Sequence, residues 1–226
     1  FAAAIRGMAA ACRALDFPVV SGNVSLYNET EGRAILPTPA IGGLGVLDDA
    51  AQAVGIALRP GLDLVLLGAT AGHLGQSLWL REIAGHEAGP PPPVDLAAER
   101  RTGDFVRARI LAGAVAACHD VADGGLLVAV AEMALTGDVG ARLRAGPDEV
   151  PPVAFWFGED QGRYVLAVAD APALLAAAAA AGVPARLLGT SGGAGLTLPG
   201  GETISVTELR QAHARFLPAW MAAGET

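Results

Sequence analysis

The chain has 226 residues, an apolar fraction of 52% and a formal net charge of −8. This length suffices for one large domain, or for one domain and part of another, with a sizeable core. The arginines form no dense basic run of the kind that neutralises nucleic-acid phosphates, and no apolar run approaches the roughly 18 to 20 residues that cross a bilayer. We therefore expect neither a nucleic-acid partner nor a membrane span.

Cysteine usage and the first residue bear on location and completeness. Cys12 and Cys118 have no metal-ligand spacing and cannot build a disulfide framework, so a reducing cytoplasm is the default location. The chain begins with Phe1 rather than methionine. We expect it to be a fragment of a longer protein.

The first 50 residues show one helix and scattered strand signals. Apolar residues at helical spacing predict a helix over residues 2–15 with one buried face. Val19 and Val20 predict a buried strand, and residues 35–39 and 41–47 predict further strands. A block of this size is too short to bury itself. We expect it to complete a sheet whose other strands lie upstream.

From about residue 54 onwards, strands and helices alternate, which predicts a layered α/β or α+β domain. A short apolar run bounded by glycines is typical of a central strand, and four consecutive prolines at 90–93 predict a surface connection. Asp123 is expected to cap a helix. The predicted strands are 61–68, 156–169, 184–189 and 204–206, and the predicted helices are 74–84, 103–118, 123–135, 171–181 and 207–216.

The loop at residues 21–25 is the strongest candidate for chemistry. Gly22 would let a phosphate approach the backbone, and Asn23 offers a neutral carbonyl oxygen of the kind that Mg²⁺ accepts beside phosphate and water oxygens. Ser25 can donate to a substrate oxygen. Taken alone, these residues also fit a strand end followed by a polar turn.

A second candidate is the run at 118–126, where one imidazole and two carboxylates precede paired glycines and a helix. The helix N-terminus could bind a phosphate or ribose, or His119 could act as a base oriented by Asp120. The structural alternative is capping and loop closure, with His119 hydrogen-bonded locally.

A third candidate is the polar cluster at 157–163, where Glu159, Gln161 and Arg163 could bind a polar ligand or could form a salt-bridged strand end. Two lesser stretches, at 73–77 and 211–213, are interpreted as structural. Residues 192–195 are rich in glycine but lack the strand and helix that flank a dinucleotide-binding fingerprint, and they are interpreted as a hairpin loop.

Two stretches of sequence carry a family resemblance. Residues 18–30 and 37–42 resemble the late part of the second ATP-binding-type domain in the synthetase subunits of phosphoribosylformylglycinamidine synthases. In that family the position matched by Gly22 contacts ATP, the one matched by Asn23 ligates Mg²⁺, and the one matched by Ser25 contacts formylglycinamide ribonucleotide. The family's catalytic histidine lies in an N-terminal half outside this sequence, so no catalytic residue is assigned here.

The resemblance also implies a fold. The string His-Asp-Val-Ala-Asp-Gly-Gly-Leu at 119–126 is similar to a signature of C-terminal domains in the aminoimidazole ribonucleotide (AIR) synthetase superfamily. We therefore expect an α+β chain. Residues 1–52 would be the incomplete end of a second N-type domain that binds ATP and substrate, and residues 53–226 a second C-type domain built as an AIR-synthase-type α/β sandwich.

For function, the resemblance implies an ATP-dependent C–N ligase of purine biosynthesis in the cytoplasm. With ATP and Mg²⁺, it would convert formylglycinamide ribonucleotide and glutamine-derived ammonia to formylglycinamidine ribonucleotide, together with a glutaminase subunit and a small accessory subunit. The isolated fragment is predicted to be inactive. One alternative is a non-catalytic scaffold that binds an auxiliary nucleotide and docks a subunit, and another is a different enzyme of the same superfamily, such as a selenophosphate synthetase or a thiamine-phosphate kinase.

Overall fold

A computed structural model describes residues 1–23, 29–35 and 38–223. The chain divides into two compact units, residues 1–50 and residues 51–226. A short 3₁₀ turn, Ala50–Gln52, lies at the division. Among the described residues, no helix is both long enough and apolar enough to span a membrane.

The described residues of the first unit form one helix and one small hairpin. Helix α1, Ala2–Leu15, forms as predicted, but none of its residues is buried. Strands β1 (Glu29–Thr30) and β2 (Arg33–Ala34) pair antiparallel. The two residues between them both have positive φ, as a tight two-residue hairpin turn requires.

The strands predicted elsewhere in this unit do not form. Residues 19–20 and 41–47 have no regular structure, and Val20 and Val46 are 88% and 90% exposed. Residues 35, 38 and 39 of the predicted strand 35–39 are likewise irregular, and its other two residues lie outside the described part. A strand needs a neighbour to satisfy its backbone N–H and C=O groups, and these apolar segments have none among the described residues.

The second unit is built on a seven-stranded sheet in the order β4-β6-β3-β7-β5-β8-β9. The parallel pair is β5 with β8, and the other neighbours run antiparallel. The strands are β3 (Asp63–Leu67), β4 (Ala117–Asp120), β5 (Ala141–Leu143), β6 (Tyr164–Val168), β7 (Ala185–Ser191), β8 (Gly195–Thr197) and β9 (Thr203–Ser205).

The described residues of this unit form six helices, and five of them contribute to a core on one or the other face of the sheet. Helices α4, α5 and α7 contribute to the larger core, and α3 and α6 to the smaller one. Successive residues of β3 alternate between the two: Leu64 and Leu66 face the larger core, Val65 and Leu67 the smaller. The helices are α2 (Leu78–Glu82), α3 (Leu96–Leu111), α4 (Gly125–Gly137), α5 (Pro152–Phe157), α6 (Ala171–Ala180) and α7 (Val206–Ala223).

Local capping explains where three of these helices begin. The Ser77 hydroxyl accepts from the backbone N–H of the third residue of α2. Asp95 accepts from two N–H groups of α3, and Asp170 from one N–H of α6. A side-chain oxygen at the N-cap satisfies donors that have no partner within the helix. The proline run at 90–93 forms an irregular connection, as predicted.

Several sequence-based boundaries are wrong. Helix α3 ends at Leu111 rather than at 118, and the end of the predicted helix is strand β4. Residues 152–157 form helix α5, although 156–169 was predicted as one strand. Helix α2 begins at Leu78, four residues later than predicted, and α7 extends seven residues beyond 216.

The loop at 192–194 is not a hairpin. It connects β7 to β8, but β5 lies between these two strands in the sheet. The chain therefore crosses the end of β5, and the amide of Gly192 donates to the carbonyl of Gly140 on the way.

Candidate functional site

The loop at 21–25 is described only in part. Gly22 and Asn23 are exposed and irregular in structure, and Ser25 lies outside the described residues. A side chain built on Gly22 would meet no atom of the described residues within 4 Å. None of these residues therefore requires a glycine there for packing, and they leave the space beside it open to a ligand.

Asn23 fits Mg²⁺ only as one ligand of a larger shell. Its amide oxygen is a donor that hard cations accept, and Mg²⁺ usually takes its remaining ligands from water and phosphate. The described residues contain no cluster of three or more His, Cys, Asp or Glu side chains that could hold a metal. A metal bound at Asn23 would therefore need oxygen ligands other than a cluster of such side chains, for example from water or phosphate.

The remaining three sequence motifs meet at one edge of the sheet in the second unit. Strands β3 and β4 each run antiparallel to β6, so their carboxyl ends lie at the edge where β6 begins. The loops that leave β3 and β4 and the loop that enters β6 therefore converge. They carry the sequence motifs at 73–77, 119–126 and 157–163.

Glu159 ties these three loops together. Its Oε1 accepts from the backbone N–H of Leu78, at 2.9 Å, and from that of Gly124, at 2.8 Å. Leu78 opens α2 and Gly124 is the N-cap residue of α4. A carboxylate at two helix N-termini is favoured by hydrogen bonding and by the helix dipole. Part of the predicted anion site is thus filled by the protein's own carboxylate.

Asp123, predicted to cap α4, does not do so. No side chain caps α4 from its N-cap position, and Gly124 occupies that position with a φ of 79°. Asp123 itself is exposed. The capping carboxylate comes from Glu159, 35 residues away in sequence, and neighbouring sequence gave no signal for it.

Asp160 and Arg163 make further contacts where these loops converge. The carboxylate of Asp160 accepts from the backbone N–H groups of Gly72 and His73, at 2.9 and 3.2 Å. The guanidinium of Arg163 is fully buried, donates to the carbonyls of Gly158 and Asp160, and lies 3.8 Å from the Asp160 carboxylate. Burial lowers the pKa of Arg163, and the nearby carboxylates of Asp160 and Glu159 oppose that shift.

This geometry confirms the salt-bridged strand end as the interpretation of 157–163. Gln161 donates to the Glu159 carbonyl, 3.3 Å away. All four polar side chains of the cluster bond the protein's own backbone, namely those of Glu159, Asp160, Gln161 and Arg163. The cluster therefore acts as a structural joint.

His119 is held between two carboxylates. Its Nδ1 lies 3.1 Å from Asp120 Oδ1, and its Nε2 lies 2.9 Å from Glu132 Oε2 on α4. Asp120 orients the ring as the sequence suggested, but Glu132 occupies the nitrogen that a general base would use. The geometry thus supports the interpretation that His119 is hydrogen-bonded locally, and its bond to Glu132 links α4 to β4.

Side chains of the motif at 73–77 also form hydrogen bonds to other parts of the protein. His73 Nε2 lies 3.0 Å from the carbonyl of Pro90, and the Gln76 side chain donates to the carbonyl of Gly89. Gln76 has a φ of 58°, a left-handed conformation that favours glycine. These contacts bind the loop to the proline-rich connection and agree with its structural interpretation.

Comparison with known proteins places this fold. The family described as AIR synthase related protein, C-terminal domain, matches residues 59–198. The chain belongs to this family. The superfamily resemblance and the α+β fold class predicted from the sequence are both confirmed.

Curated relatives match almost the whole chain. A phosphoribosylformylglycinamidine synthase subunit PurL from Acidiphilium cryptum is 69% identical over 97% of this AIR-synthase-related chain. The proteins of the same name from Granulibacter bethesdensis and Gluconobacter oxydans are 65% and 62% identical over 98% and 99% of it. The chain spans about 30% of the length of these relatives.

Solved structures agree in fold. Thermotoga maritima PurL complexed with FGAR superposes with a TM-score of 0.61 at 21% identity, covering 71% of this chain and 30% of that one. The same protein complexed with ATP gives a TM-score of 0.56 at 19% identity, covering 71% and 27%. At this identity the likeness describes the fold of the AIR-synthase-related chain.

Proposed function

We propose that this chain is a portion of the synthetase subunit of phosphoribosylformylglycinamidine synthase. The full protein would be an ATP-dependent C–N ligase that converts formylglycinamide ribonucleotide and glutamine-derived ammonia to formylglycinamidine ribonucleotide, ADP and phosphate in the cytoplasm. The observation that carries the proposal is the 69% identity to a relative of that name over 97% of the chain.

Within that reaction, the loop at 21–25 would contact the reactants. Gly22 would lie against ATP, Asn23 would offer its amide oxygen to Mg²⁺, and Ser25 would contact the ribonucleotide. Bound Mg²⁺ would supply positive charge to balance the phosphoryl oxygens. The contribution of this chain would be positioning: Gly22 is exposed, and the described residues leave space beside it that a ligand can enter without repacking.

The second unit would serve as a scaffold. Its polar motifs are engaged with the protein's own groups: Glu159 caps α4, Asp160 holds the loop after β3, and His119 bonds Asp120 and Glu132. This observation favours the assembly role for residues 51–226. The glutaminase subunit and the small accessory subunit are proposed as partners of the full protein.

The test uses the full-length protein and ammonia-dependent ATP hydrolysis. We expect Asn23→Ala to reduce apparent Mg²⁺ affinity by about 10- to 100-fold, the range for loss of groups that support a metal. Gly22→Ala should fold normally, because the added methyl group meets no atom of the described residues, and should weaken ATP binding. Asp16→Asn, an exposed change outside the loop, is the control.

Two results would contradict these roles. If Asn23→Ala left both the rate and its Mg²⁺ dependence unchanged, the metal role would be wrong and the scaffold role would stand alone. If the isolated 226-residue chain turned over formylglycinamide ribonucleotide, the assignment of the catalytic groups to the rest of the protein would be wrong.

A further inference from the structure

The described helices cover only part of one face of the large sheet. Helices α3 and α6 cover the face that carries Val65, Leu67 and Leu166, on strands β3 and β6. On the β5, β8 and β9 side of the sheet, the residues of that face are polar. Arg142 of β5 pairs with Thr190 of β7 and with Thr197 of β8, and Thr197 pairs with Thr203 of β9.

These four residues form one row across the strands, because directly paired residues point to the same face of a sheet. The alternate residues Ala141, Leu143 and Leu196 are buried in the larger core on the opposite face. The row is therefore a hydrophilic strip that faces outwards. Its two outer threonines, Thr197 and Thr203, bond each other through their hydroxyl oxygens at 3.0 Å.

The strip borders a cleft of about 580 Å³. The glycine-rich loop that crosses the end of β5 forms one side of it. Gly193 has a φ of 72° and open space beside its Cα, whereas Gly195 lies so close to the backbone of β9 that a side chain could not be added. Arg142, Thr190, Thr197 and Thr203 of the strip also line the cleft.

Arg142 is the charged residue of this cleft. Its side chain forms no ion pair and no hydrogen bond within the part of the chain that the structure describes, whereas Arg210 and Arg107 are paired with Asp138 and Asp104. An exposed guanidinium with free donors, set among hydroxyl groups, is suited to the oxygens of a phosphate.

The size and the lining narrow the ligand class. The volume exceeds that of inorganic phosphate and lies within the usual range for small-molecule pockets. None of the residues that line it, all of them described, is aromatic, so it offers no ring on which a base could stack. Three threonine hydroxyls can bond the hydroxyl groups of a polyol. We propose that this cleft binds a phosphorylated sugar, with Arg142 on the phosphate and the threonines on the sugar.

The test is an NMR titration of the chain with glucose 6-phosphate, inorganic phosphate and glucose. We expect saturable shifts of the amides of Gly192, Gly193 and Gly195, with glucose 6-phosphate binding more tightly than phosphate and glucose not binding. Arg142→Gln should weaken binding by about tenfold or more, as for loss of hydrogen bonds to a charged group. Arg144→Gln, an exposed arginine two residues along but outside the cleft lining, is the matched control.

Each alternative result has a defined meaning. Unchanged binding by Arg142→Gln, or equal losses in both variants, would overturn the role of Arg142 and with it the site. Equal affinity for phosphate and glucose 6-phosphate would overturn the sugar assignment. The absence of shifts at the three glycines would overturn the location. Because Arg142 is exposed, circular dichroism of the variant should match that of the unchanged protein.

Discussion

The joint made by Glu159 gives the sharpest test of how the second unit is held together. Changing Glu159 to alanine removes the acceptor for two backbone N–H groups, those of Leu78 and Gly124, at 2.9 and 2.8 Å. A hydrogen bond to a charged group contributes about 1.5 to 3 kcal/mol. The two bonds share one oxygen in a partly exposed site, so we expect Glu159→Ala to lower the free energy of unfolding by about 2 to 4 kcal/mol.

Two further variants separate charge from hydrogen bonding. Glu159→Gln keeps an oxygen acceptor but loses the charge at the helix N-termini, and we expect a loss of about 1 kcal/mol. Asp123→Ala removes the carboxylate that the sequence placed at the cap. Asp123 is exposed and caps nothing, so a change below about 0.5 kcal/mol is expected.

The assay is urea unfolding followed by the fluorescence of tryptophan, of which Trp156 is buried in the larger core. Amide hydrogen exchange at Leu78 and Gly124 gives a local readout and should accelerate in Glu159→Ala. The reasoning would be refuted if Asp123→Ala cost as much as Glu159→Ala. It would also be refuted if exchange at the two amides were unchanged.

Three other predictions concern Arg163, which is buried, and Cys118 and Glu99, which are half-buried. Arg163→Lys should destabilise the chain by about 2 to 4 kcal/mol in urea unfolding, because lysine cannot bond both backbone carbonyls in the same plane; an unchanged midpoint would contradict this. Burial, with a smaller contribution from Asp120, raises the pKa of Cys118 to about 11 from an ordinary 9.0. In the Cys12→Ser variant, we therefore expect a thiol reagent at pH 8 to react about 100-fold more slowly with the folded than with the unfolded protein. Equal rates would show that the Cys118 thiolate is accessible. Burial also raises the pKa of Glu99. The folded state therefore keeps the Glu99 proton at pH values where the unfolded state has lost it, and stability falls as pH rises through that window. Glu99→Gln should increase the free energy of unfolding at pH 7 and increase it less at pH 3, and equal increases at both pH values would disprove the effect.

Sequence patterns predicted the elements that depend on local signals. The apolar run between Gly61 and Gly68 forms the central strand β3, and α6 begins at the capping Asp170 and ends one residue before the predicted end. In both segments, the apolar pattern and the residues that bound it indicate the same element. The family resemblance, carried by short motifs, was confirmed by comparison, and the roles of Gly22, Asn23 and Ser25 remain predictions.

Local signals failed where tertiary contacts outweighed them. The run Ala114 to Cys118 continues the helical pattern of α3, but Ala117 and Cys118 pair with β6 and become strand β4. Phe155, Trp156 and Phe157 favour strands by propensity, yet they form α5, where Phe155 and Trp156 are buried against the larger core. Burial of large side chains outweighs a propensity difference of about 1 kcal/mol.

The sequence by itself determined the family, the central strand, helix α6 and the positions of the motifs at 73–77, 119–126 and 157–163. The tertiary structure decided what those motifs do. Both Asp123 and Glu159 could supply a carboxylate to α4, and only the folded chain, which brings residues 35 apart to 2.8 Å, shows that Glu159 does. His119 likewise has a neighbour in sequence, Asp120, and a second partner, Glu132, that only packing of α4 on β4 provides. Sequence spacing reports contacts within one turn or one strand, whereas these contacts form only when separate elements pack together.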